Sequence, residues 1–340
     1  MTGAASKGLS AAVLLIGLMV TGCARYGDFQ LPSQAGNTHQ LIVEWKPRPS
    51  PVLSQGSPSA WDSHDVLNPS VIRTAAGYLN LYSGFDGKTW RTGAATSADG
   101  ISWTKSTQIL GPDLSTWEGS YIAGNGALVG YSRLNGLAYY YQAGRPPRIG
   151  LARASSDSGP WKKEAEPVLG LGPYGSWDEW GVADPYVIEL SGSLYMYYLG
   201  MDRAQRQRLG VATSTDGITW TKLRSNPVLE LGAFGNFDEN GLGEPAVWAS
   251  NGFYWMLYTG RDHAENRRLG LARSTDGVHW EKRPEVFSGT QPWASKVLCD
   301  ATVLIENGEI RVWFGGGDVA RPDEEIHGRI GYGVLTITDR

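Results

Sequence analysis

Residues 181–220, GVADPYVIELSGSLYMYYLGMDRAQRQRLGVATSTDGITW, align without a gap on residues 241–280, GLGEPAVWASNGFYWMLYTGRDHAENRRLGLARSTDGVHW. Each copy opens with an apolar strand entered through an acidic residue and a proline, turns at Ser-Gly or Asn-Gly, and returns as an aromatic strand. An Arg-x-Gly strand follows, then a Ser-x-Asp hairpin ending in Trp220 or Trp280. Short apolar and aromatic runs bounded by Gly, Asn and Asp turns are strands, and neither copy carries a helical period.

The unit recurs along the whole chain. "PVL" at 51–53 returns as "QIL" at 108–110, "PVL" at 167–169 and 227–229, and "EVF" at 285–287. An aromatic follows each: Trp61, Trp117, Trp177, Phe237 and Trp293, whose fivefold recurrence favours packing between blades over sugar stacking. Then come the apolar strands "NPSVI", "NGALV", "DPYVI", "EPAVW" and "DATVL", and the Arg-x-Gly strands at Arg91, Arg148, Arg208, Arg268 and Arg329. Four-stranded units repeated with this spacing are propeller blades. The sequence therefore predicts an all-β, five-bladed β-propeller of antiparallel four-stranded blades over residues 41–340. The last copy lacks its fourth strand, and "LIVEWK" at 41–46 is expected to complete it and close the ring, leaving few open strand edges.

Composition sets the wider limits. The 340 residues carry net charge −4, 41% hydrophobic and 19% charged residues, 45 Gly and 14 Trp, which suits an ordered domain with ample core. Scattered Lys and Arg in a mildly acidic chain leave no footprint for nucleic acid, and no polynucleotide partner is expected. Residues 1–22 read as a signal peptide, with Lys7 before the apolar run Ala11–Val20. "VTGC" at 20–23 resembles a bacterial lipobox, which implies acylation of Cys23. Residues 23–40 then read as a tether, and the protein as exported and anchored to a membrane. The other cysteine is Cys299, so no intramolecular disulfide is expected.

Repeat logic separates scaffold from site. Asp99, Asp157, Asp216 and Asp276 occupy recurring hairpin turns, where Asp bonds nearby N–H groups. The Arg-x-Gly arginines are expected to pair with Asp86, Asp202, Asp262 and Asp318 of Gly-x-Asp. The first residue of each inner strand is different in kind. It is Asn68, Asn125, Asp184, Glu244 and Asp300, polar in every copy and acidic in three. Carboxylates converging on one channel mouth repel unless a ligand or ion uses them. The loops of the same face supply Arg145, Arg203, Arg206, Arg261, His263 and Arg267, which together suit an anion. His64, Asp65 and Trp180 break the repeat on that face, and with Trp61, Trp177, Arg261, Asp318, Asn68 and Asn125 they are the substrate-binding candidates. No metal-ligand spacing and no phosphate loop occurs, so no cofactor is expected, beyond a cation that an axial channel has room to hold.

"ADPYV" at 183–187 and "GEPAV" at 243–247 in such a propeller resemble the superfamily of glycoside hydrolase families 32, 43, 68 and 130. The resemblance implies glycosidic chemistry by Asp184 as base or nucleophile, Glu244 as general acid and Asp300 as third carboxylate. Hydrolysis needs one protonated and one ionised carboxyl across the bond, and crowding of like charges raises the acid's pKa. The family order is Asp, Asp, Glu on the first three blades, whereas here it is Asp, Glu, Asp on the last three. "NPSVI" at Asn68 resembles an Asn-Pro of family 130, which relies on one aspartic acid and a basic phosphate pocket. Three readings stay open: a hydrolase of an extracellular glycan, a phosphorylase or anionic-sugar enzyme, and a lipid-anchored glycan binder. A monomer is expected.

Overall fold

The computed structural model describes residues 25–36, 41–131 and 136–339. Residues 1–22 and Cys23 lie outside these. Two short N-terminal strands, β1 (Arg25–Gly27) and β2 (Leu41–Pro47), precede a run of antiparallel meanders. The first meander is β3 (Asp65–Thr74), β4 (Gly77–Phe85), β5 (Trp90–Ser97) and β6 (Thr104–Leu110). The second is β7 (Ile122–Tyr131), β8 (Gly136–Ala143), β9 (Arg148–Ala154) and β10 (Lys162–Lys163). The third is β11 (Gly181–Leu190), β12 (Ser193–Met201), β13 (Gln207–Ser214) and β14 (Thr221–Leu223). Next come β15 (Gly241–Ser250), β16 (Phe253–Arg261), β17 (Arg267–Ser274) and β18 (Glu281–Phe287), then β19 (Val297–Glu306), β20 (Glu309–Gly317) and β21 (Arg329–Asp339). A single parallel bridge, Arg267 to Val297, joins these last two groups. β2 pairs antiparallel with β21 along its whole length, from Leu41 opposite Asp339 to Pro47 opposite Gly333. The chain is all-β: among the described residues the only helical element is the 3-10 turn Pro292–Ala294.

The first strands of the meanders converge. β3 packs against β7, β7 against β11, β11 against β15, β15 against β19, and β19 against β3. The hairpin aromatics stitch neighbouring sheets: Trp220 meets Tyr140 edge-on at 5.7 Å and Trp280 meets Tyr197 at 5.8 Å. The same tyrosines donate their hydroxyls to Gly217 O and Gly277 O at 2.9 and 2.7 Å, so each hairpin is pinned by a neighbour's buried ring.

The scaffold motifs behave as their recurrence requires. Asp99, Asp216 and Asp276 each accept the N–H two residues on, at 2.8, 2.8 and 3.0 Å. Arg91, Arg208 and Arg268 reach Asp86, Asp202 and Asp262 at 2.6, 2.8 and 3.9 Å. The fifth copy departs: Arg329 donates to Gln55 instead, and Asp318 meets His327.

The tether expected over 23–40 is docked wherever it is described. β1 lies parallel to β14, covering the open edge of a three-residue strand. Leu31 is buried against Gly277, and the N–H groups of Leu31 and Gly36 donate to Asp276 O and Gly252 O, both at 2.9 Å. Burial of Leu31 and two sheet-like bonds outweigh the freedom a tether would keep.

Candidate active site

Each inner strand is interrupted where the polar residue stands. The register shifts between Leu67 and Ser70, Ala183 and Tyr186, Gly243 and Ala246, and Cys299 and Thr302. At these bulges Asn68, Asp184, Glu244 and Asp300 adopt φ of 56°, 49°, 49° and 55°. Left-handed backbone is unfavourable for a side-chain-bearing residue, most of all for Glu, and costs on the order of 1–3 kcal/mol at each position. Strain repeated at equivalent positions turns four polar side chains toward one axis. The side chain of Asn125 lies outside the described residues.

A hydrogen-bond chain runs around that axis. Each bulge frees a backbone N–H from its ladder, and the next carboxylate takes it. Asp184 Oδ2 accepts Glu244 N–H at 3.2 Å, Glu244 Oε2 accepts Asp300 N–H at 3.3 Å, and Asp300 Oδ2 accepts Asn68 N–H at 3.2 Å. Gln142 Oε1 serves Asp184 N–H at 2.9 Å. This accounts for the carboxylates of Asp184, Glu244 and Asp300 at this position. It does not account for what surrounds Glu244.

Asp184 and Asp300 are buried, whereas Glu244 is half-buried at the floor of an upper-face cavity of about 850 Å³. Burial, then the neighbouring Asp300 carboxyl, push the Glu244 carboxyl up to about 8, against the opposing pull of the Arg267 guanidinium and the Thr259 hydroxyl. Ligand atoms of Glu244, Asp300 and Cys299 all lie within 4.8 Å of one another. Burial also drives the Cys299 thiol well above its ordinary value, so it is no nucleophile. Arg267, 8% exposed, donates to Arg321 O at 3.0 Å.

The cavity walls come from every sheet: Trp90, Tyr121 and Arg145, Met201 and Gln207, Arg261, and the 321–325 segment. On their other side Asn68, Asp184, Glu244 and Asp300 top a mainly apolar channel of about 380 Å³ that runs between Val71, Val187, Val247 and Val303. The polar chemistry lies in the upper cavity.

Of the residues singled out from sequence, the structure brings Asp184, Glu244, Arg145, Arg261 and Arg267 to this cavity, and Asn68 and Asp300 to a recess off it. Others stand elsewhere for identifiable reasons. Trp61 lies flat on Gly84 and Gly93, and Trp177 on Gly200 and Gly210, where any Cβ would strike the ring; both are packing residues, not sugar platforms in the cavity. His64 sits edge-on to Phe85 at 6.2 Å, over Gly87. Asp65, fully buried, accepts the N–H groups of Glu325 and Gly328 at 2.6 and 2.7 Å and so holds the 318–328 loop against the site instead of touching it. Asp318 is at the base of that loop, bonded to His327 at 2.7 Å. Trp180 is 47% exposed on the rim.

Sequence reading did not single out Gln142 or Thr259. Both face the bulges from second strands, opposite Ala123 and Gly243, where the third and fifth copies have Leu199 and Gly315. A polar residue there was the available signal. It also missed a repeated buried triad: Lys105–Asp62–Tyr82, Lys163–Glu118–Tyr141, Lys222–Asp178–Tyr198 and Lys282–Asp238–Tyr258, each Lys at 2.5 Å.

The sequence profile of glycoside hydrolase family 130, described as β-1,4-mannooligosaccharide phosphorylase, matches residues 113–296. The chain belongs to glycoside hydrolase family 130. Family 130 thus joins the glycosidases sharing a five-bladed propeller fold that the inner-strand motifs resemble. A solved family 130 protein is similar over 89% of this chain and 96% of its own, at 16% identity and TM-score 0.70. It comes from work showing that this family of mannoside phosphorylases contains glycoside hydrolases that target β-1,2 mannosidic linkages in Candida mannan. A β-1,2-mannobiose phosphorylase from Listeria innocua is similar over 85% of this chain and 96% of its own, at 10% identity and TM-score 0.66. At these identities the likeness is one of fold. An uncharacterised protein of Mycobacterium tuberculosis, Rv1502, is 30% identical over 161 residues, 44% of this chain and 52% of that one. The chain thus spans about half the length of the curated relatives it matches.

Proposed function

We propose that this family 130 protein cleaves mannosides by hydrolysis in the upper-face cavity, with Glu244 as general acid. The observation that carries this reading is the half-buried Glu244 carboxyl, held protonated near neutral pH beside Asp300 and Asp184 on the cavity floor. Glu244 gives its proton to the glycosidic oxygen as the C–O bond breaks. A water bonds to the anomeric carbon and loses its proton to Asp184, while Asp300 stabilises the positive charge that develops on the sugar ring.

A second reading, phosphorolysis, is favoured by a specific feature. Arg145 lies over the Tyr121 ring at 5.1 Å and Arg267 beside Glu244, and both line the cavity, whereas Arg261 and Arg321 are paired with Glu265 and Glu325. Inorganic phosphate suits two such guanidiniums. Incubation with β-1,2- and β-1,4-mannooligosaccharides, with and without phosphate, decides between them. Free mannose without phosphate supports hydrolysis, and mannose 1-phosphate formed only with phosphate supports phosphorolysis. Binding without turnover across the panel leaves the glycan-binder reading.

We read the sheets as five blades of one ring, closed by β2 on β21, in keeping with the cyclic contacts of the inner strands. Acylation at Cys23, export and membrane anchoring rest on the "VTGC" tetrapeptide and the apolar run before it, and a monomeric state completes the proposal.

A further inference from the structure

We infer that Tyr174, Arg203 and Trp180 form a second glycan-contact platform on the cavity rim, one that holds sugar units beyond the cleaved linkage; the inference rests on the mannoside reading above. Tyr174 is 85% exposed and Trp180 47%, so neither ring is explained by packing. They are nonetheless ordered into one surface. The Arg203 guanidinium lies 4.6 Å from the Tyr174 ring centre and 5.8 Å from that of Trp180. Glu179 fixes the layer, accepting Arg203 Nε at 3.0 Å and Gly175 N–H at 2.9 Å. Single exposed apolar residues are ordinary, but a braced layer of rings facing solvent marks an interaction site.

The platform is continuous with the cavity. Trp180 N–H donates to Met201 O at 2.9 Å, and Met201 and Gln205, on either side of Arg203, line the cavity. The repeat shows the same position in other states. Three residues before the packed aromatic stand Leu114, 80% exposed, and Phe234, 92% exposed, the latter 6.5 Å from His263. Only the third sheet adds the second ring, since Trp180 is replaced by Ser120 and Asn240 in its neighbours.

Charge identifies the occupant. Arg203 is paired with Glu179, and Arg206 and Arg208 are both paired with Asp202, at 2.7 and 2.8 Å. These three arginines leave no unpaired cation for a phosphate headgroup or a polyanion. A neutral pyranose fits, with its C–H face on a ring and its hydroxyls toward Arg203 and Glu179. The substrate class is therefore a neutral mannooligosaccharide or polymer longer than a disaccharide.

The test compares Tyr174→Ala, Trp180→Ala and the double variant with the wild-type chain on β-mannobiose and β-mannohexaose. The ratio of kcat/KM for hexaose over biose is expected to fall about tenfold per ring, through KM on the hexaose. An unchanged ratio overturns the platform while leaving the enzyme reading intact. Retardation in gels containing mannan reads the platform without turnover: the double variant should lose it and Glu244→Gln keep it. Retardation lost in the double variant of a chain that turns over no mannoside upholds the platform and sinks the enzyme reading. In a non-acylated Cys23→Ser chain, ring removal that abolishes pelleting with phosphatidylglycerol vesicles but spares mannan retardation marks a membrane surface and overturns the proposal.

Discussion

The carboxylate of Asp184 and the backbone of Glu244 are joined directly, Oδ2 to N–H at 3.2 Å, across the seam between two sheets. The base or nucleophile candidate therefore also fixes the strained residue that carries the acid. Asp184→Asn keeps an acceptor for that N–H and removes the charge, so activity should fall about 10²-fold or more with a small loss of stability. Asp184→Ala strands a buried donor and should cost in addition about 1–3 kcal/mol, read as a lower melting temperature.

The raised proton affinity of Glu244 fixes two pH signatures. As the acid it must be protonated, so kcat/KM should fall as pH rises through about 8. Stability has the same sign. The folded state holds a proton that the unfolded chain releases near its ordinary value of 4.5, so stability is full below that value and is lost as pH rises toward about 8. Glu244→Gln removes this dependence. Its melting temperature should gain on that of the wild-type chain between pH 5 and pH 9.

The all-β, antiparallel organisation was legible because one pattern is written five times, and errors in one copy are corrected by the others. The bulge position was legible for the same reason: Asp184, Glu244 and Asp300 are polar where a strand facing an axis is otherwise apolar. What escaped is what the repeat does not encode. Arg267 stood among five loop arginines, and nothing local distinguishes it from Arg268, its outward neighbour. Asp65 was recognised as a departure, but its partners Glu325 and Gly328 lie some 260 residues away in the copy with the most irregular connection. Recurrence favoured packing for Trp61 and Trp177, but a sugar contact stayed open for them because the glycines that receive their rings belong to later strands.

Asp65 offers a separable test of how the site wall is held. Asp65→Ala leaves two backbone donors of the 318–328 loop without their acceptor, each worth about 1–3 kcal/mol. Amide exchange at Glu325 and Gly328 should accelerate, and KM for mannosides should rise more than kcat falls. Unchanged exchange at both amides would show that the loop is held by other contacts.

The Lys–carboxylate–Tyr triad makes a stability prediction free of function. Lys222 and Asp178 are 1% and 0% exposed and 2.5 Å apart, with the Tyr198 hydroxyl on the same carboxylate oxygen. Lys222→Ala leaves a buried carboxylate uncompensated, and a loss of about 3–5 kcal/mol is expected by denaturant unfolding. Replacing both partners with apolar residues should restore much of it.

The central claim, that Glu244 delivers the proton in mannoside cleavage, is tested most directly by the kcat/KM of Glu244→Gln on the mannooligosaccharide the wild-type chain turns over best. The expected result is a fall of about 10²-fold or more, with the decline through pH 8 gone from what activity remains. Turnover within about twofold of wild type, with that decline still present, would contradict it.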